Sequence, residues 1–221
     1  MHNAILQSSR SLSEASTVNH MSIPPLASDL PILLDAAKIE ARIAELAAAI
    51  SRDYQGRTPH LVGVLKGAWV FMADLVRHIS IHCTVDFLSI QSYGSGTVSS
   101  GEVKITKDLD ISIEGRDVLV VEDILDTGRT YSYLQEVLGA HDPASLRLVA
   151  LLDKRSRRII PVQADYVGFE IPDVFVIGYG LDYDQKYRNI ADVRYIPSPQ
   201  TLFSFDPPTP FDPSESEETP L

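Results

Sequence analysis

Residues 118–130 read VLVVEDILDTGRT, and this stretch decides the fold class. Its unbroken apolar start predicts a strand covered on both faces, as in a parallel sheet. Glu122 and Asp123 follow, Ile124 and Leu125 finish the strand, and Asp126, Thr127, Gly128, Arg129 and Thr130 form a short turn that opens a helix. Gly128 permits close backbone approach, the unpaired N–H groups of a helix start favour an anion, and the threonine hydroxyls add donors. Such a turn can cradle a phosphate group. No GxxxxGK[ST] stretch is present and no GxGxxG leads from a strand into a helix, so the ATP-loop and dinucleotide readings lose support. Two adjacent acids ahead of the cradle suit the two hydroxyls of a ribose, directly or through Mg²⁺. A ribose phosphate is therefore the expected ligand. A lone Asp-Thr-Gly would be an ordinary turn, and it is the strand and the acid pair beside it that lift it above that reading.

The flanking sequence alternates strands and helices. Asp35 can cap a helix in which Ile39, Ile43, Leu46 and Ile50 recur at helical spacing, ending before Gly56. HLVGVL (60–65) reads as a buried strand, Lys66-Gly67 as a tight loop, and AWVFMADLVRHI (68–79) as a helix. A strand through Val85, Phe87, Leu88 and Ile90 leads into SYGSGTVSSGEVKITKDL (92–109), whose serine and glycine content predicts a long mobile loop in a hairpin. After the strand at 117–125, YSYLQEVLGA (131–140) returns to helical spacing and LRLVALLD (146–153) is a third buried strand. This alternation predicts an α/β domain with a twisted, mainly parallel sheet flanked by helices, whose ligands bind beyond the strand carboxyl ends. Residues 66, 122–130 and 153–154 all lie at such ends.

The ends of the chain differ from its middle. Residues 1–28 lack steady periodicity and are expected to form a loose extension. From Asp206 onward, DPPTPFDPSESEETPL carries five of the fourteen prolines and five acids without a base, so 206–221 is expected to be disordered. Residues 29–205 remain as one domain. Across all 221 residues, 19 Lys and Arg face 30 Asp and Glu, a net charge of −11 that disfavours nonspecific nucleic-acid or anionic-membrane binding. Any phosphate site must then be local. Cys83 is the single cysteine, which excludes an internal disulfide and points to a reducing compartment; with no signal-like or membrane-spanning apolar run, a cytoplasmic location is expected.

VVEDILDTGRT is similar to the phosphoribosyl-pyrophosphate signature of the phosphoribosyltransferases. VLKGAWVFMADL, VDFLSIQSYGSGTVSSGEVKITKDLD, LLDKRS and VGFEIPDVFVIGYGLDYDQKYRN resemble, in order and spacing, the hypoxanthine-guanine branch of that family, over about residues 60–196. The resemblance implies the type I fold of these enzymes, with a small hood built from about 29–40 and 160–196. It also implies transfer of the 5-phosphoribosyl group to hypoxanthine or guanine, giving IMP or GMP and pyrophosphate, with Mg²⁺ as cofactor. A homodimer or homotetramer is implied, and no nucleic-acid or membrane partner.

Roles follow residue by residue. Lys66 and Gly67 match the pyrophosphate loop, where a strained peptide aims N–H groups at the leaving group. Glu122 and Asp123 match the ribose and Mg²⁺ acids, and Asp182 a further Mg²⁺ site reached largely through water. Asp126 matches the acid beside the purine N7, and Thr127, Gly128, Arg129 and Thr130 the 5′-phosphate loop, with Arg129 a departure from the usual residue; Ile124 and Leu125 join the substrate-binding residues. Lys154 matches the donor to the 6-oxo group, which favours a 6-keto purine over adenine. Phe175 and Val176 match the base-stacking hood, Arg188 a pyrophosphate arginine, and Ser92 and Tyr93 the head of a lid over the sugar.

Plainer readings stand beside these. Phe175 can be core, Asp182 and Arg188 surface charges, and the bases of KRSRR (154–158) merely solvated. His78, His82 and Cys83 have a superficial zinc spacing but no His-Glu-x-x-His frame, and Trp69 and Phe71 read as packing. A regulatory protein of the same fold that binds RNA is the rival from another class, and it should carry a basic face.

Overall fold

The computed structural model describes residues 26–92 and 103–197. Two sheets carry the fold. The larger runs β4-β3-β2-β5-β6-β7, built from β2 (His60–Leu65), β3 (Thr84–Ser92), β4 (Val103–Lys107), β5 (Asp117–Leu125), β6 (Ser145–Asp153) and β7 (Tyr166–Glu170). All its neighbours are parallel except β3 and β4. The smaller sheet is antiparallel, β1-β9-β8, from β1 (Ile32–Leu34), β8 (Phe175–Ile177) and β9 (Val193–Ile196).

The apolar runs explain why the central strands are buried on both faces. On β2, β5 and β6, Leu61, Leu119, Val121, Val149 and Leu151 enter one cluster with α1 (Ala36–Asp53) and α2 (Trp69–His78). Val62, Val118, Val120, Leu148 and Ala150, one residue out of step, enter a second cluster with Tyr131, Leu134 and Leu138 of α3 (Arg129–Gly139). The two-residue period of a strand sends alternate side chains to opposite helix layers. Helix α1 starts where expected, with Asp35 Oδ1 accepting from the Lys38 N–H at 2.9 Å. That bond, first among its causes, holds the Asp35 carboxyl below the usual carboxylate range.

Chain direction positions the site. From β2 the chain crosses through α2 to β3 on one side, and from β5 through α3 to β6 on the other. The sheet order therefore reverses between β2 and β5, and their carboxyl ends flank a crevice where open α/β sheets bind ligands.

Three sequence expectations change. Val103–Lys107, taken as part of a mobile loop, is β4, paired antiparallel with β3 through Ile90↔Ile105 and Ser92↔Val103. Tyr166–Glu170 lies within the stretch assigned to the hood but joins the main sheet beside β6. Ala27–Asp29, partly inside the stretch expected to be a loose extension, forms a 3-10 turn followed by buried Leu30. The remainder of the 1–28 extension, the 206–221 tail and Tyr93 lie outside the described residues.

Candidate active site

Strand β5 delivers Glu122 and Asp123 to the crevice while its side chains still alternate. Glu122 is only 5% exposed. Burial and the neighbouring Asp123 push its carboxyl well above the usual range, and burial raises Asp123 to about 6 despite the hydrogen bonds and the Arg188 charge that favour its ionised form. A buried acid and a half-buried one side by side, with raised affinity for protons, form a site short of positive charge, which suits a divalent cation or sugar hydroxyls. The acids therefore fit the implied Mg²⁺. Asp182 stands on the β8–β9 connection and lines a cavity with Asp123, but it does not join Glu122 and Asp123 in one cluster. Among the described residues no three His, Cys, Asp or Glu are close enough to hold a metal by themselves.

The turn after β5 is built for backbone contact. Gly128 caps α3 with φ +85°, and a Cβ there would meet Val162 at 2.7 Å and the Ile160 carbonyl oxygen at 2.8 Å. Thr127 is held from outside, its carbonyl accepting from the N–H groups of Ile159 and Ile160, both at 3.0 Å. A cavity of about 320 Å³ opens above this turn, lined by Glu122, Asp123, Asp126, Thr127, Gly128 and Thr130 among others. Arg129 points outward and is exposed, so its departure leaves the cradle unaltered.

Across the crevice, the Leu65–Lys66 peptide is cis, at the loop expected to hold a strained bond. Gly67 packs so closely that a Cβ would fall on the Asp123 carboxylate, and a Cβ at Gly180 would fall on the Gly67 carbonyl. Gly180 has φ +95°, so the β8–β9 connection, the Lys66-Gly67 loop and the acid pair are stacked backbone against side chain. Gly67→Ala is expected to cost about 1–3 kcal/mol of stability by overpacking and to displace Asp123. Thermal melting combined with an activity assay checks both effects.

A second cavity of about 540 Å³ shares Gly67, Asp123, Ile124 and Asp126 with the first and adds Lys66, Lys154, Arg157, Asp173, Phe175, Val176, Asp182 and Arg188 to its walls. Phe175 is 45% exposed, with Tyr183 edge-on at 5.7 Å, so the core reading fails and its ring borders the cavity. Lys154 is 6% exposed at the end of β6, and burial lowers its ammonium pKa. Arg188 donates to the Gly180 carbonyl and pairs with Asp182, each at 2.7 Å, while Lys66 Nζ donates to Gln185 at 3.2 Å. Asp182 and Arg188 are thus partners before any ligand arrives. Ser92 ends β3 opposite Val103.

Other expectations resolve differently. Arg157 is not merely solvated: it pairs with Asp126 and Asp173, both at 3.3 Å. Arg158 pairs with Asp153. Phe71 is core, whereas Trp69 is 48% exposed rather than packed. Tyr179 was missed; its hydroxyl donates to Asp74 of α2 at 2.5 Å, tying the β8–β9 connection to the helix that follows the Lys66-Gly67 loop. Only its place between two glycines in VIGYGLDYD hinted at a constrained turn.

A parallel sheet whose switch point holds a phosphate cradle, an acid pair and an adjoining cavity defines a protein that handles a phosphorylated sugar, and residues 31–184 match the Phosphoribosyl transferase domain model. The chain belongs to the phosphoribosyltransferases. It is 52% identical over 159 residues, 72% of this chain and 88% of the relative, to the hypoxanthine-guanine phosphoribosyltransferase of Bacillus subtilis. To the enzyme of that name from Streptococcus thermophilus it is 49% identical over 162 residues, 73% of this chain and 90% of the other. A solved hypoxanthine phosphoribosyltransferase from Staphylococcus aureus superposes with a TM-score of 0.75 at 46% identity, covering 79% of this chain and 95% of that one.

Proposed function

We propose that the chain transfers the 5-phosphoribosyl group of phosphoribosyl pyrophosphate to hypoxanthine or guanine. The observation that carries this reading is the pair of joined cavities. One combines an acid pair with a glycine turn suited to a phosphate, and the other combines a buried lysine with an exposed aromatic ring, a lining that suits a purine base.

In the reaction a bond forms between a purine nitrogen and C1 of the sugar, the bond from C1 to the pyrophosphate oxygen breaks, and the purine gives up a proton. Glu122, Asp123 and Asp182 are the residues that would hold Mg²⁺, which would supply charge neutralisation for pyrophosphate. The backbone of Thr127 to Thr130 binds the 5′-phosphate. Lys66, Gly67 and Arg188 take the pyrophosphate side, with Arg188 turning from Asp182 to the leaving group. Asp126 accepts or shares the purine proton. Phe175 stacks on the base, and backbone carbonyls near Val176 and Asp182 accept from guanine's amine. We further place the enzyme in the cytoplasm, consistent with its one half-buried free thiol, and propose that it acts as a homodimer or homotetramer.

Lys154 selects the base. An ammonium only donates, so it rewards a 6-oxo group and gains nothing from a 6-amino group. Burial lowers the Lys154 pKa from 10.5, so kcat/KM for hypoxanthine is expected to fall with rising pH from a point below that value, as the ammonium loses its proton. Lys154→Ala is expected to lower kcat/KM about 10- to 100-fold, the size of a lost hydrogen bond to a charged group. A panel of hypoxanthine, guanine, xanthine, adenine and uracil with phosphoribosyl pyrophosphate and Mg²⁺ tests the reading. IMP and GMP are expected and AMP is not. Turnover of adenine or uracil in preference to the 6-oxopurines would reassign the base site, and no turnover with intact phosphoribosyl pyrophosphate binding would favour the regulatory protein.

A further inference from the structure

Among the charged side chains that line the second cavity are Lys154, Asp126, Asp173 and Arg157. Their arrangement is unequal. Arg157 hydrogen-bonds Asp173 through Nη1 and forms an ion pair, without a hydrogen bond, with Asp126 through Nε, each at 3.3 Å, whereas Lys154 makes no ion pair among the described residues. Yet Lys154 feels the charges of Asp126 and Asp173 as well as that of Arg157. The backbone explains how one cation came to occupy both acids. Lys154 is fixed at the end of β6, its N–H donating to the Leu125 carbonyl at 3.0 Å, and the 3-10 turn Arg155–Arg157 closes on it through Arg157 N–H to the Lys154 carbonyl at 3.0 Å. That turn carries the guanidinium to the mouth of the same cavity. A guanidinium offers several donors in a rigid fork and can serve two carboxylates at once.

We infer that Arg157 is a positioning residue for this reaction: by occupying Asp126 and Asp173 together, it keeps the Lys154 ammonium free to donate to the 6-oxo group of the base. The inference rests on the function proposed above. Without Arg157, two carboxylates face one buried ammonium, and Lys154 is drawn to an acid instead of to the base. Asp173 lies two residues before Phe175, so the same bridge also ties the phosphate-loop acid to the segment that presents the stacking ring. With Arg157 48% exposed, the bridge contributes little to stability, and its effect is on where the neighbouring groups sit.

The test compares wild type with R157A and R157K in steady state, varying hypoxanthine at saturating phosphoribosyl pyrophosphate and then the reverse, alongside thermal melting. R157A is expected to raise the KM for hypoxanthine about tenfold, while the KM for phosphoribosyl pyrophosphate stays within about twofold. Its melting temperature is expected to stay within about 2 °C of wild type, as for a surface substitution. R157K is expected to recover part of the loss, because an ammonium keeps the charge but lacks the planar fork that reaches both acids from this position. R157Q stands in if the alanine variant does not fold. An unchanged hypoxanthine KM overturns the inference, as does an equal rise in both KM values accompanied by a lower melting temperature. Wild type that makes no nucleotide from hypoxanthine defeats the proposed function itself, and is seen before any variant is compared.

Discussion

Asp126→Asn is expected to lower kcat about 10²- to 10⁴-fold, the range over which a positioned acid or base accelerates proton transfer, while phosphoribosyl pyrophosphate still binds. Asp126 sits where the two cavities meet, three residues beyond the acid pair and at the mouth of the phosphate turn. Asparagine keeps the shape and the capacity to hydrogen-bond but cannot take a proton. The variant therefore separates proton handling from binding. Single-turnover formation of IMP, with phosphoribosyl pyrophosphate affinity measured separately, checks both halves. Undiminished turnover in the purified variant removes the proton-handling role from Asp126.

Glu122→Gln is expected to make the protein more stable and less active. Glu122 is buried beside half-buried Asp123, and both bind protons more tightly in the folded chain than in the unfolded one. Protonation therefore favours the fold. The stability this brings is present at low pH and is lost as pH rises from the ordinary carboxylate range through about 6 for Asp123 and beyond for Glu122. In the ligand-free wild type, melting temperature should fall between about pH 5 and pH 8. Glu122→Gln removes one buried charge, flattens that slope, and gains on the order of 1 kcal/mol at pH 8, about 2–4 °C in Tm. Activity should drop about 10- to 100-fold, since a neutral amide is a weaker acceptor than a carboxylate for sugar hydroxyls and a poorer ligand for Mg²⁺. Melting curves across pH with parallel activity measurements decide the matter. A variant that is less stable at pH 8 contradicts the assignment of Glu122 as a buried charge kept for function.

The parts of the fold legible in the sequence were those written in local pattern. The buried run at 118–121 and the helix spacing of Ile39, Ile43, Leu46 and Ile50 each depend on residues near in the chain, as does the Asp35 cap. Strand β4 was hidden because Val103, Ile105 and their neighbours follow a serine- and glycine-rich stretch, and a short alternating segment becomes a strand only through a partner, here β3. The edge position of β7 was hidden likewise, since YVGFE can pair in either sheet and only the β6 register decides.

At the site, VVEDILDTGRT showed the cradle and the acids because one strand and one turn hold them all. Arg157 did not stand out in KRSRR: its two acids come from elsewhere in the chain, at 126 and 173, and a charge run says nothing of pairing at that distance. The contact of Gly180 with Gly67 is similarly nonlocal, between segments more than a hundred residues apart that meet only when the β8–β9 connection folds over the crevice. Trp69 looked like packing among apolar neighbours, but it is the first residue of α2 and the helix turns that side chain away from the core.

Hypoxanthine and phosphoribosyl pyrophosphate incubated with the wild-type chain and Mg²⁺, with products separated by chromatography, test the central claim most directly. The expected result is IMP and pyrophosphate appearing in equal amounts, with both suppressed by a chelator. Pyrophosphate or free ribose 5-phosphate without IMP, or no consumption of either substrate, would contradict it.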